Sequence, residues 1–129
     1  MATALLLGIY KTTDAGLTWT RLNPGVFASS LGSQLWYYNV IRISPTDPNL
    51  VWAGGLGLIR SRDGGITWDS PPQVGANRTQ IHVDFHYLAF TADGSRLYLG
   101  NDGGMYSTGN AGAAASQINW TSLNYTLAL

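Results

Sequence analysis

Ser61-Arg62-Asp63-Gly64-Gly65-Ile66-Thr67-Trp68 repeats the stretch Thr12-Thr13-Asp14-Ala15-Gly16-Leu17-Thr18-Trp19. Both run Ser or Thr, any residue, Asp, any residue, Gly, any residue, Thr, Trp, and the two Asp lie 49 residues apart. A degraded third copy begins at Ser107-Thr108-Gly109-Asn110-Ala111-Gly112, passes through an Ala-rich insertion and ends at Trp120. In this alignment Gly109 stands where Asp would be, and Gly112 follows Gly65 by 47 residues, so the period holds. Self-similarity at a fixed period of roughly 20–50 residues is the mark of a repeat architecture.

The segments ahead of the boxes match as well. Asn39-Val40-Ile41-Arg42-Ile43-Ser44-Pro45 leads to Leu50-Val51-Trp52-Ala53-Gly54 and then Gly57-Leu58-Ile59-Arg60-Ser61. One period later His86-Tyr87-Leu88-Ala89-Phe90-Thr91 leads to Leu97-Tyr98-Leu99-Gly100 and then Gly104-Met105-Tyr106-Ser107. Pro45-Thr46-Asp47-Pro48-Asn49 and Ala92-Asp93-Gly94-Ser95 are turn signals. The pattern predicts strands over 4–11 and 17–22, then 38–44, 50–54, 57–61 and 66–69, then 82–91, 96–100, 104–108 and 118–123. Residues 25–34 and 70–78 read as loops between units. Four short strands per roughly 50 residues is the pattern of one propeller blade. The fold class expected is all-β: blades of four antiparallel strands, with 1–24 a partial blade, 25–70 and 71–124 two blades, and 125–129 the start of another.

Each box residue has a physical task. The Asp carboxylate accepts backbone N–H bonds within a hairpin. The Gly supplies a positive-φ position. The Trp packs its face between sheets while its N–H finds an acceptor. Thr12, Asp14, Gly16, Thr18, Trp19 and Ser61, Asp63, Gly65, Thr67, Trp68 are therefore structural residues.

Composition narrows the function classes. Only 11% of the 129 residues are charged and the formal net charge is zero, so no basic patch draws in a phosphate backbone, and nucleic acid is not an expected partner. No Cys is present, which removes disulfides and thiolate metal sites. No apolar run reaches the ~18 residues of a membrane span. Leu5-Leu6-Leu7-Gly8 follows no basic segment and leads into the first box, so it reads as a strand rather than a signal peptide. No phosphate loop, dinucleotide fingerprint or Ser-His-Asp order is present.

The boxes resemble those of the BNR/Asp-box repeat β-propellers, a superfamily that includes sialidases, xyloglucan-degrading glycoside hydrolases, sortilin-type receptor domains and photosystem assembly factors. His82-Val83-Asp84-Phe85-His86, Gly100-Asn101-Asp102-Gly103-Gly104 and Trp120-Thr121-Ser122-Leu123-Asn124 are similar to three segments of its bacterial sortilin-like or glycosyl-hydrolase-like members. The resemblance implies a ring, seven-bladed when complete, of which this chain supplies about two and a half blades. Both ends fall inside blades. The leading expectation is a segment of a longer propeller. The other is a ring closed by self-association of several copies. The resemblance also implies an extracellular or periplasmic setting.

His82, Asp84 and His86 alternate, so in a strand they share one face, where two imidazoles and a carboxylate suit a divalent metal with Asp102 as a fourth ligand. The plainer reading is a hydrogen-bonded polar cluster, and no cofactor is otherwise implied. The glycines around Asn101 and Asp102 let backbone approach a ligand closely. His82, Asp84, His86, Asn101 and Asp102 form the expected ligand site, for carbohydrate or protein. Asp102 resembles the catalytic carboxylate of the xyloglucan-cleaving relatives, with Asp84 the available second acid. Glycoside hydrolysis needs two carboxyl groups about 5–9.5 Å apart. A sialidase would need three arginines and a Tyr nucleophile, and Arg42 reads instead as an exposed strand residue. Trp36, Tyr37 and Tyr38 suit either a sugar-stacking platform or packing between blades. The leading function is a binding scaffold, and a glycoside hydrolase is the alternative.

Overall fold

The computed structural model describes residues 8–23, 25, 30–32 and 34–126. Among these residues the chain is all-β, in three antiparallel sheets that follow the repeat. The first sheet pairs β1 (Ile9–Lys11) with β2 (Thr20–Leu22). The second runs β3 (Val40–Ile43), β4 (Val51–Gly54), β5 (Leu58–Ser61). The third runs β6 (Phe85–Phe90), β7 (Leu97–Asn101), β8 (Gly104–Thr108), β9 (Thr121–Ser122). Within each sheet, neighbours in sequence are neighbours in space.

Several boundaries differ from the sequence expectation. Residues 4–7 of the first expected strand and the final Leu127-Ala128-Leu129 lie outside the described residues, as does much of the 25–34 loop. Leu17, Thr18 and Trp19 belong to the box turn, because Asp14 captures their end of the hairpin before pairing begins at Thr20. The strand expected over 66–69 is reduced to one bridge, Arg60 with Asp69. Here too the Asp63 carboxylate takes the amides of Ile66 and Thr67 away from any ladder. The last strand shrinks from 118–123 to Thr121–Ser122, since the main chain of Trp120 bonds the Asn77 side chain instead of β8.

The first two boxes are built alike. Thr18 donates its amide to Asp14 Oδ1 at 2.9 Å and its hydroxyl to Oδ2 at 2.5 Å. Thr67 does the same to Asp63 at 2.8 and 2.5 Å. Thr12 and Ser61 hydroxyls accept the Gly16 and Gly65 amides, both at 2.8 Å. Gly16 and Gly65 have φ of 92° and 96°, and their carbonyls accept the Trp19 and Trp68 indole N–H, both at 3.1 Å.

The third hairpin corrects the alignment. The residue in the Asp role is Asn110, not Gly109. The Asn110 amide donates to Thr108 Oγ1 at 3.2 Å, as Asp63 donates to Ser61. Asn110 Oδ1 then accepts the Asn119 amide at 3.1 Å, as Asp63 accepts that of Thr67. The insertion separates Asn110 from Asn119 but leaves the same closure.

The middle sheet is covered on both sides, which explains why β4 and β5 are buried along their whole length. On one side Ile9 and Leu22 pack with Val51, Ala53, Ile59 and Trp68. On the other, Val40, Trp52 and Leu58 pack with Phe85, Leu88, Leu97, Leu99 and Trp120. Fully burying one such side chain contributes about 1.5–3 kcal/mol, so these two layers hold the sheets face to face. Trp120 meets Trp52 edge-on at 6.0 Å. Arg60, wholly buried, lies over Trp52 at 5.3 Å.

Candidate functional site

The start of β6 departs from a plain strand. Asp84 has φ of 64°, and its amide and that of Phe85 donate to the Leu56 and Gly55 carbonyls in the turn between β4 and β5 at 2.9 and 2.7 Å. Phe85 then pairs with Asn101 and Tyr87 with Gly100, leaving His86 as the extra residue of a bulge. A bulge re-aims the side chain it carries.

These two features undo the common face expected for His82, Asp84 and His86. The strand begins at Phe85, and the left-handed turn at Asp84 breaks the alternation ahead of it. His82 Nδ1 lies 3.1 Å from the neighbouring Val83 carbonyl. Among the described residues no group of three His, Cys, Asp or Glu side chains gathers where it could hold a metal ion. The expected metal triad is therefore not assembled.

What the bulge does assemble is a pair. His86 Nε2 lies 2.8 Å from Asp102 Oδ1, and since an ionised carboxylate only accepts, Nε2 carries the proton. Both side chains are exposed. Tyr37 and Tyr38 set their rings edge-on to the imidazole at 5.4 and 5.6 Å. Trp36 tilts against Tyr37 at 5.7 Å. Trp36 and Tyr37 are open to solvent, whereas Tyr38 is buried. The aromatic run thus serves both purposes weighed for it: Tyr38 packs, and Trp36 and Tyr37 face outward.

Tyr38 links the two acids. Its hydroxyl donates to Gln34 Oε1 at 2.8 Å. Its pKa is raised, first by burial, then by the neighbouring Asp84 carboxylate and by the negative charge of Asp102. Asp84 and Asp102 therefore both bear on one phenol. Sequence reading did not anticipate Gln34, which has no motif to mark it.

Asn101 has a different task from the one expected. Its Nδ2 donates to the His82 carbonyl at 2.8 Å, and its Oδ1 accepts the Gly103 amide at 3.0 Å. Asn124 Nδ2 donates to the Gly103 carbonyl and its Oδ1 accepts the Met105 amide, at 2.9 and 2.8 Å. Two amide side chains thus brace the Gly-rich turn that presents Asp102. A Cβ on Gly103 would collide with His82 Cβ at 2.5 Å, so this turn requires glycine there.

No family model, curated protein or solved structure matches this chain. The chemistry of the site rests on its own geometry: an exposed aromatic surface beside a hydrogen-bonded imidazole–carboxylate pair. Among the described residues no helix is long and apolar enough to cross a membrane.

Proposed function

We propose that this chain is part of an Asp-box β-propeller that acts as a binding scaffold, with carbohydrate as its ligand at Trp36, Tyr37, His86 and Asp102. The observation that carries this reading is the edge contact between exposed Tyr37 and His86, whose imidazole is held by Asp102. A sugar ring has an apolar C–H face and a rim of hydroxyls. Aromatic faces bury the first, and a fixed carboxylate and imidazole hydrogen-bond the second. The repeated boxes and the face-to-face stacking of successive sheets support the propeller reading.

Titration of the chain with neutral and acidic oligosaccharides, followed by tryptophan fluorescence, tests the proposal. Saturable binding is expected, weakened about two- to tenfold by Tyr37→Ala, from a stacking contribution of about 0.5–1.5 kcal/mol. Asp102→Ala should weaken it by a similar factor. A chain that binds no oligosaccharide, or binds equally well in both variants, sinks the reading.

The second reading is a glycoside hydrolase with Asp102 and Asp84 as its carboxylates, favoured by their shared influence on Tyr38. It requires reducing-sugar release that Asp102→Asn and Asp84→Asn each abolish.

A further inference from the structure

The register of the repeat assigns equivalent positions across the two larger sheets. Ile41 opposes Ala53 and Ile43 opposes Val51. One period later Leu88 opposes Leu99 and Phe90 opposes Leu97. Ile41 thus corresponds to Leu88, and Ile43 to Phe90. The corresponding residues differ sharply in exposure. Leu88 is 0% exposed, whereas Ile41 is 42% and Ile43 58% exposed.

The difference has an identifiable source. Leu88 is covered by the inner pair of strands of the preceding sheet, β3 and β4, through Val40 and Trp52. Among the described residues, the preceding sheet offers only β1 and β2 over Ile41 and Ile43, the counterparts of β5 and the box strand. These cover Val51, Ala53 and Ile59 and stop short of β3. A groove of about 520 Å³ remains, lined by Ile9, Tyr10, Ile41, Ile43 and Val51 among others. Along the same groove β1 pairs only with β2 among the described residues, whereas its counterpart β5 pairs along its length with β4.

From this we infer that the edge of β1 and the Ile41–Ile43 face together form a docking surface for a two-stranded antiparallel hairpin of the repeat's own kind. Its second strand adds antiparallel to β1, as β4 adds to β5. Its first strand lies over Ile41 and Ile43, as β3 lies over Leu88. The strand edge supplies main-chain bonds and the groove accepts alternate side chains, which is the logic of strand addition. The occupant must place a small β-branched residue and a large aromatic on the buried side, as Val40 and Trp52 do. This inference rests on the repeat register and is independent of the carbohydrate site.

The test uses the whole chain and a peptide of its residues 38–55, closed head to tail so that the hairpin is formed before binding. Hydrogen exchange of the Ile9–Lys11 amides and fluorescence anisotropy of the labelled peptide are the readouts. The expected result is at least tenfold slower exchange at Tyr10 and Lys11 with saturable peptide binding. Ile43→Lys should lose both while the peptide-free chain keeps its spectrum and melting temperature, since Ile43 is exposed there. Absent protection, protection that survives Ile43→Lys, or protection that rises with protein concentration without peptide would overturn it. The last of these would assign the face to a second copy of the chain.

Discussion

Arg60 grips Asp69 with two parallel bonds, Nε to Oδ1 at 3.1 Å and Nη2 to Oδ2 at 2.7 Å, from a position fully removed from solvent. Its remaining nitrogen, Nη1, donates to the Ala111 and Ala113 carbonyls, both at 2.8 Å. One guanidinium thus closes the middle sheet's hairpin and ties it to the insertion of the third. Removing one partner of a buried pair costs about 3–5 kcal/mol. Arg60→Met is expected to lower unfolding free energy by about 3 kcal/mol in urea denaturation. Arg60→Lys should recover little of it, since an ammonium cannot reproduce the fork. Asp69→Asn should cost at least as much, because it leaves the wholly buried Arg60 charge without its counter-charge, whereas Arg60→Met leaves a partly solvated carboxylate.

Asp14, Asp63 and Asp93 each have a pKa lowered to about 2, chiefly by side-chain hydroxyl donation from Thr18, Thr67 and Thr91 respectively. The folded values lie below the ordinary aspartate value of 3.8. The folded state therefore binds fewer protons than the unfolded state between these values. This stabilisation is fully present above about pH 4 and is lost as pH falls through about 2. Urea midpoints should fall steeply between pH 4 and pH 2. Asp63→Asn should shift the pH 7 midpoint down and flatten that slope.

Ala15 has φ of 59°, while its counterpart in the second box, Gly64, has φ of 72°. A left-handed conformation costs a residue with a Cβ roughly 1–2 kcal/mol, offset in part by the backbone entropy that glycine loses on folding. Ala15→Gly is expected to raise stability by about 0.5–1 kcal/mol. Gly64→Ala should lower it by roughly 1–2 kcal/mol. Paired thermal melts of the two variants check both signs.

The boxes were legible in the sequence because their bonds are local: Asp63 reaches only as far as Ser61 and Thr67. Asn110 was not, because its closing partner Asn119 lies beyond an insertion that hides the spacing. The bulge at His86 and the left-handed Asp84 break a period of two that the His82–His86 stretch displays faithfully. Their cause lies elsewhere in the chain, in the Leu56 and Gly55 carbonyls that take the Asp84 and Phe85 amides. Arg60 likewise reads as one member of an alternating strand. Its partners Ala111 and Ala113 sit in another hairpin, and no local pattern announces them. The segments Asn77-Arg78-Thr79, Asn119-Trp120-Thr121 and Asn124-Tyr125-Thr126 match a glycosylation signal, yet the Asn77 and Asn124 amides bond main-chain groups.

The final prediction concerns the coupling of Tyr38 to the two acids. Burial is the first cause of its raised pKa, and the neighbouring Asp84 carboxylate comes next, ahead of the Asp102 charge. Asp84→Asn removes the negative charge while keeping a side chain that tolerates the left-handed backbone at φ 64°. The Tyr38 pKa should therefore fall toward the ordinary tyrosine value without reaching it, because burial persists. Asp102→Asn should lower it less, since Asp102 acts through its charge alone. Titration of the Tyr38 ring by carbon-13 NMR, with the resonance assigned by Tyr38→Phe, measures both shifts. A larger fall for Asp102→Asn than for Asp84→Asn would mean that Asp102, not Asp84, bears more strongly on the phenol.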